Sequence, residues 1–485
     1  MGIVLKQSLN NTIITFLGFG IGAVNTLFLY TRYLTDEYYG LVTVILSTST
    51  LLMPIFAFGA HNTIVKFYSS FKGGKNKNGF FTLMLLLPLL LIIPTACFAY
   101  YAHDIVATLL AKKNSIVKNY VWYIFFIGMG MAYFEIFYAW SRVQMKSVFG
   151  NFMKEVFCRL GVFVLLLLVY YSLISVDTFL KTLVVLYILR TIIMKLYVFK
   201  MKFPKLNFHF PENINSILKY STLIILGGSS AVILLEVDRF MINQYVEIKN
   251  VAYYSVAVFI AAVIAIPSRS MHQITYPLTS ELLTKKDSKA LNQLYKKSSL
   301  TLFIISGLLF LLILLNLNDL YMVLPVEYRG GSIVVFCIGL SKVYDALLGN
   351  NNAILYNSDY YKTILFLGVG LAILIILLNI VFIPKYGING AAFATLLAMC
   401  CYNTVKLMYI KRKFKMHPFT VDTLKVFAIL LGTSGLFYFY PFSFNPIINI
   451  VLKSSLIVVS FTWIIYKLNI SEDINDILRK LLRLK

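Results

Sequence analysis

Fourteen apolar runs, each about the length a helix needs to cross hydrocarbon, fill almost the whole chain and are separated by short charged breaks. A hydrocarbon core about 30 Å thick takes roughly 20 helical residues at about 1.5 Å per residue. Runs of that length fall at 9–31, 40–60, 80–102, 119–140, 154–174 and 178–199, and again at 217–237, 252–275, 298–317, 331–350, 362–383 and 387–409, followed by 421–440 and 447–467. The 485 residues are 59% hydrophobic and only 13% charged, against roughly 25% charged in soluble domains. The spacing therefore predicts an all-α polytopic membrane protein with about 14 transmembrane helices. Two runs carry polar interruptions: Lys342 and Asp345 in 331–350, and Pro267, Arg269 and His272 in 252–275.

Charge sets the orientation. The 44 Lys and Arg against 20 Asp and Glu leave a net charge of +24, and the surplus sits at the ends of apolar runs. A nucleic-acid binder would carry it on polar segments interleaved with aromatics, so that class of partner is not expected. With the N-terminus placed inside and the spans alternating, 32 basic residues fall on the inward side, 10 on the outward side, and Arg190 and Arg269 lie deeper. Lys and Arg accumulate on the cytoplasmic side, so an even number of spans with both termini cytoplasmic is expected. The first run is too long for a cleaved leader and lacks a small-residue cleavage pattern; it reads as the first span. In the tail, Ile474, Ile477, Leu478, Leu481 and Leu482 recur at helical spacing among basic residues, a pattern that suits either an anionic leaflet surface or a solvated helix.

The two halves resemble each other. Glu37–Ile45 (EYYGLVTVI) aligns with Ala252–Ile260 (AYYSVAVFI) at an offset of 215; both follow a polar break, and both lead to a proline, Pro54 or Pro267. Internal duplication of this kind is common in secondary transporters. The expected organisation is a six-helix lobe over 1–205, a pseudo-symmetric six-helix lobe over 206–415, two additional spans over 416–470 and a cytoplasmic amphipathic tail over 471–485.

An ionisable group inside a span costs about 2.5 to 3.5 kcal/mol on insertion scales, so each one needs a partner or water. Lys154, Glu155 and Arg159 lie in the cytoplasmic part of span five, with Glu155 and Arg159 in the favourable i, i+4 order for an ion pair. Arg190, near the middle of span six, has no acid one turn away; it either faces a cavity or pairs with another helix. Arg269 follows Pro267, which is expected to kink span eight and free a carbonyl. Arg32, beside Asp36 and Glu37, and the cluster Glu236, Asp238 and Arg239 end spans one and seven, as gate or interlobe contacts or as interfacial patches. Gly18, Gly20 and Gly22 in span one, and Gly227 and Gly228 in span seven, serve close packing or bending. Cys97, Cys158, Cys337, Cys400 and Cys401 show no metal or disulfide spacing, no nucleotide-binding motif occurs, and neither a metal site nor a cofactor is expected.

Three segments carry a family likeness: Leu29–Gly40 (LYTRYLTDEYYG), Glu236–Ile242 (EVDRFMI) followed by Val251–Ser255 (VAYYS), and Ile383–Thr395 (IPKYGINGAAFAT). In this order and spacing the chain resembles polysaccharide flippases of the Wzx type, in the multidrug/oligosaccharidyl-lipid/polysaccharide exporter superfamily. The resemblance covers nearly the whole chain. It implies two lobes around a central cavity in a bacterial cytoplasmic (inner) membrane, and alternating-access movement of an undecaprenyl-diphosphate-linked oligosaccharide to the outer leaflet. The product would be O-antigen lipopolysaccharide, capsule or exopolysaccharide, and membrane lipids, a polysaccharide polymerase and glycosyltransferases are the implied partners. Cavity arginines of such proteins are similar in type to Arg159, Arg190 and Arg269.

Basic groups within the lobes outnumber buried acids, which suits a diphosphate better than a cationic drug. A cation-coupled multidrug exporter, the second reading, calls for unpaired cavity carboxylates, whereas Glu155, Glu236 and Asp238 each have a basic neighbour. A membrane glycosyltransferase or polymerase, the third, needs an external catalytic acid. Only Asp104, Asp177 and Asp319 are available, on short loops, so no enzymatic activity is expected. Replacing each of the three with Asn should leave sugar polymerisation in cells unchanged; abolished polymerisation with intact flipping would favour the enzyme reading.

Overall fold

The structure, a computed structural model, describes residues 2–71, 74–439 and 442–482. Among these residues the regular elements are all helical. Lys72, Arg483 and Lys485 lie outside the described residues, as do the side chains of Lys6, Lys75, Ile477, Leu478, Leu481 and Leu482 and the surroundings of Gly228. The expected apolar face of the tail falls mostly among them.

Packing divides the chain into two compact units, Met1–Ser255 and Val256–Lys485. In the first, α1 (Gly2–Val24) passes into a π-turn at Asn25–Leu29. It is followed by α2 (Asp36–Phe56), α3 (Ala60–Phe67), α4 (Gly74–Leu86), α5 (Leu89–Tyr101) and α6 (Val121–Val143). A second π-turn, Met153–Phe157, leads into α7 (Cys158–Tyr170), and α8 (Val176–Met201) and α9 (Ile214–Tyr245) follow. Helix α10 (Lys249–Ala262) contains the division between the units. Helix α6 packs against α2 and α8, and α9, the first span of the expected second lobe, packs on α2 inside the first unit. Around Phe80, Phe81, Phe134 and Trp140 the first unit builds an aromatic core, with Phe81 stacked on Trp140 at 4.1 Å between centroids.

The second unit contains α11 (Ile266–Thr284), α12 (Ser288–Leu315), α13 (Ser332–Leu347), α14 (Asn351–Tyr356), α15 (Tyr361–Phe414), α16 (Val421–Tyr438), α17 (Pro446–Lys467) and α18 (Glu472–Leu482). Span eight breaks as expected near Pro267, through a 3-10 turn at Val263–Ala265 that places the proline in the first turn of α11. There its missing N–H costs nothing. Helix α15 joins two expected spans across Gly387, whose φ of 56° and ψ of −133° lie in a region only glycine occupies readily.

Ten helical segments among the described residues are long and apolar enough to cross a membrane, and the 53-residue Lys362–Phe414 segment holds two of the expected spans. The expected spans at 154–174 and 331–350 coincide with helices that are shorter or more polar, and the one at 217–237 falls within the 32-residue α9. Large apolar side chains such as Leu90, Phe366 and Val459 remain 62%, 75% and 67% exposed, as a lipid-facing surface requires. The connection between α5 and α6 is tied to the end of α9. Asn114 Nδ2 donates to the carbonyls of Asn243 (2.7 Å) and Val246 (2.9 Å), and its Oδ1 accepts from the Ile248 amide at 2.9 Å.

Helix α2 meets the chain at Ile248 so closely that a Cβ at Gly40 would strike the Ile248 carbonyl. Gly40→Val should therefore lower stability by about 1 to 3 kcal/mol, the usual cost of overpacking. The readout is the thermal unfolding midpoint of purified protein in detergent, with Gly20→Ala, where a Cβ meets nothing within 4 Å, unchanged.

Candidate functional site: a file of charges within the N-terminal unit

The two π-turns of the first unit, Asn25–Leu29 and Met153–Phe157, both border Arg159. Each inserts one extra residue into its helix and releases a backbone group from the regular ladder. Asn25 Nδ2 donates to the Arg159 carbonyl at 2.7 Å. Arg159 Nη1 donates to the Glu155 carbonyl at 2.8 Å and to Glu155 Oε2 at 2.9 Å, so the i, i+4 pair anticipated from spacing is formed. Gly18 explains how α1 admits them: a Cβ there would lie 2.5 Å from the Glu155 carbonyl and 2.8 Å from Arg159 Nη1. The glycine serves close packing at this point. The Arg159 side chain remains 38% exposed.

Lys154 turns away from its sequence neighbours and reaches Glu135 of α6, Nζ to Oε1 at 2.6 Å. Arg142 lies over the Tyr138 ring at 4.8 Å, and both Arg142 and His61 are within electrostatic reach of Glu135. Arg190 is handled differently. It is only 6% exposed, its guanidinium rests 4.1 Å from the centroid of Phe134 and 4.9 Å from that of Tyr187, and among the described residues it makes no ion pair. Its Nε is buried without a hydrogen-bond partner. Aromatic faces offset part of the cost of a buried guanidinium but supply no negative charge.

Tyr187 links this group to the next, lying within electrostatic reach of Arg159, Arg190 and Glu236. On α9, Arg239 Nη1 meets Glu236 Oε2 at 2.8 Å, and its Nε donates to Ser255 Oγ at 3.0 Å. Asp238 accepts from the Tyr254 hydroxyl at 2.5 Å. Arg32 is exposed, 6.0 Å from the Phe28 ring centroid, and the carboxylate of Asp36 accepts from the Tyr253 hydroxyl.

Of the residues singled out from sequence, the structure thus gathers Lys154, Glu155, Arg159, Arg190, Glu236, Asp238 and Arg239 into one polar file inside the first unit. Arg32, with Asp36, belongs to the same unit. Arg269 lies elsewhere, exposed on α11 of the second unit near the His272 and Tyr276 ring pair. Glu135 was not anticipated, although it is the sole acid of span four and that alone marks it. Asn25 and Tyr187 carry no comparable signal. The three acids weighed for catalysis have structural settings: Asp104 opens a helix, Asp177 pairs with Lys181 at 2.7 Å, and Asp319 accepts from Asn449 at 3.1 Å.

Ten long apolar helices among the described residues, with large apolar side chains left exposed on them, define a multi-pass membrane protein. Its fold matches solved transporters. The lipid II flippase MurJ in an inward closed conformation aligns with a TM-score of 0.71 at 15% identity, covering 94% of this chain and 98% of that one. An inward-facing multidrug resistance MATE family transporter of the MOP superfamily gives 0.64 at 12%, covering 84% and 98%. A MOP superfamily transporter from Pyrococcus furiosus gives 0.55 at 12%, covering 84% and 96%. No curated protein sequence matches the chain. The family model described as polysaccharide biosynthesis protein matches residues 4–283, and the chain belongs to that family.

Glu135→Gln leaves Lys154 without its carboxylate. Because Lys154 is 42% exposed, solvent limits the loss to about 1 kcal/mol. The unfolding midpoint should fall, and adding Lys154→Met should recover most of it; a double variant no better than the single would show that the pair is not coupled.

Proposed function

We propose that the chain is a flippase that carries an undecaprenyl-diphosphate-linked oligosaccharide from the inner to the outer leaflet of a bacterial cytoplasmic membrane by alternating access. It would do so with both termini cytoplasmic, in the assembly of a surface polysaccharide such as O-antigen, capsule or exopolysaccharide. Family membership and the likeness in fold to a lipid II flippase support the reading. The observation that carries it is Arg190. In a file where Glu135, Glu155 and Glu236 each have a basic partner, this buried guanidinium makes no ion pair among the described residues. An intramembrane charge without a counter-charge is costly unless a ligand supplies one, and a planar guanidinium matches phosphate oxygens in geometry and sign. Arg159, partly exposed beside the π-turns, would be the second group to meet a diphosphate.

The same pairing argues against a cation-coupled drug exporter, which would need a carboxylate free for its cargo. Moving two negative charges outward across an inside-negative membrane is favoured by roughly 4 to 5 kcal/mol per 100 mV, enough to drive export. In vesicles containing the chain and a lipid-linked oligosaccharide, Arg190→Ala should slow flipping about tenfold or more, the effect of losing one charge-assisted hydrogen bond of about 1.5 kcal/mol. Arg159→Ala should slow it as well, without loss of membrane insertion. Flipping at the wild-type rate by both variants would overturn the assignment.

A further inference from the structure

The second unit contains a charge that the flippase reading does not use. Lys406 lies in α15, inside an expected span, and is 0% exposed. Its Nζ donates to Asn352 Oδ1 of α14 at 3.0 Å, lies 3.7 Å from Asp345 Oδ1 of α13, and sits 4.3 Å from the centroid of the Tyr402 ring. His272 of α11 is within electrostatic reach of both Lys406 and Asp345. Each close neighbour of the ammonium is an acceptor: an amide oxygen, a carboxylate oxygen and an aromatic face. Such a shell selects a small monovalent cation by charge and by oxygen donors. Here the occupant is covalently attached. Asp345 is 30% exposed, so removing the ammonium leaves a carboxylate with an open side and an adjacent amide oxygen.

From this geometry we infer that the C-terminal unit holds a binding site for a monovalent alkali cation that is permanently filled by the Lys406 ammonium. The chain supplies internally the positive charge that Asp345 and Asn352 require, and the unit does not take up sodium or potassium there. This inference is independent of the cargo, since its readout is stability.

The test uses the full-length chain purified in detergent, with K+, Na+ or Li+ titrated against N-methylglucamine. Wild-type protein should unfold at the same midpoint in all four. Lys406→Met should unfold at a lower midpoint in N-methylglucamine and recover progressively as an alkali cation is added. Adding Asp345→Asn to that variant should abolish the response. Lys406→Gln, which retains a donor towards Asn352, gives the same comparison if the methionine variant does not fold. A lysine variant that ignores alkali cations, or a wild-type midpoint that rises with one of them and loses that rise in Asp345→Asn, would overturn the inference.

Discussion

Hydrocarbon offers no hydrogen bonds, and that constraint governs where every charge in this chain is found. Lys154 bends to Glu135 on another helix instead of to Glu155 beside it. Arg159 satisfies itself on one turn of its own helix, through the Glu155 carboxylate and carbonyl. Arg239 divides its donors between Glu236 and Ser255. Arg190, which makes no ion pair among the described residues, rests against aromatic faces. Partly buried pairs of this kind contribute little net stability, because desolvation and solvent screening offset their attraction.

The backbone adapts to these side chains. Two π-turns, in spans one and five, free carbonyl and amide groups at the level of Arg159, and Gly18 removes the Cβ that would otherwise hold α1 away from Glu155. Irregular helices are tolerated at membrane depth only where side chains or neighbouring helices satisfy the released groups; Asn25, in the first π-turn, donates to the Arg159 carbonyl just beyond the second. The irregularity and the charge are thus one feature. In the second unit the corresponding economy is Lys406, whose ammonium fills an acceptor shell contributed by α13, α14 and α15.

The helical spans were legible because a run of about 20 apolar residues has few structural alternatives in a bilayer. Their polar interruptions were legible for the same reason, and the break near Pro267 and the Glu155–Arg159 pair follow from local rules of one helix. Partnerships between helices were not. Lys406 is buried inside α15, and Lys453 donates to the Leu315 carbonyl at 2.8 Å. A lysine near the end of an apolar run looks the same whether it snorkels to the interface or turns inward.

Sequence alone determined that this chain is a polytopic helical membrane protein with an excess of intramembrane cations, because hydropathy and charge are properties of residues and survive any arrangement of the helices. Tertiary structure decided which cation meets which acid, that Arg190 rests between Phe134 and Tyr187 without one, and that α9 packs with the first unit. Those outcomes depend on the rotation and depth of each helix against its neighbours. Such rotations are set by side-chain packing between segments far apart in the chain, which no local pattern encodes.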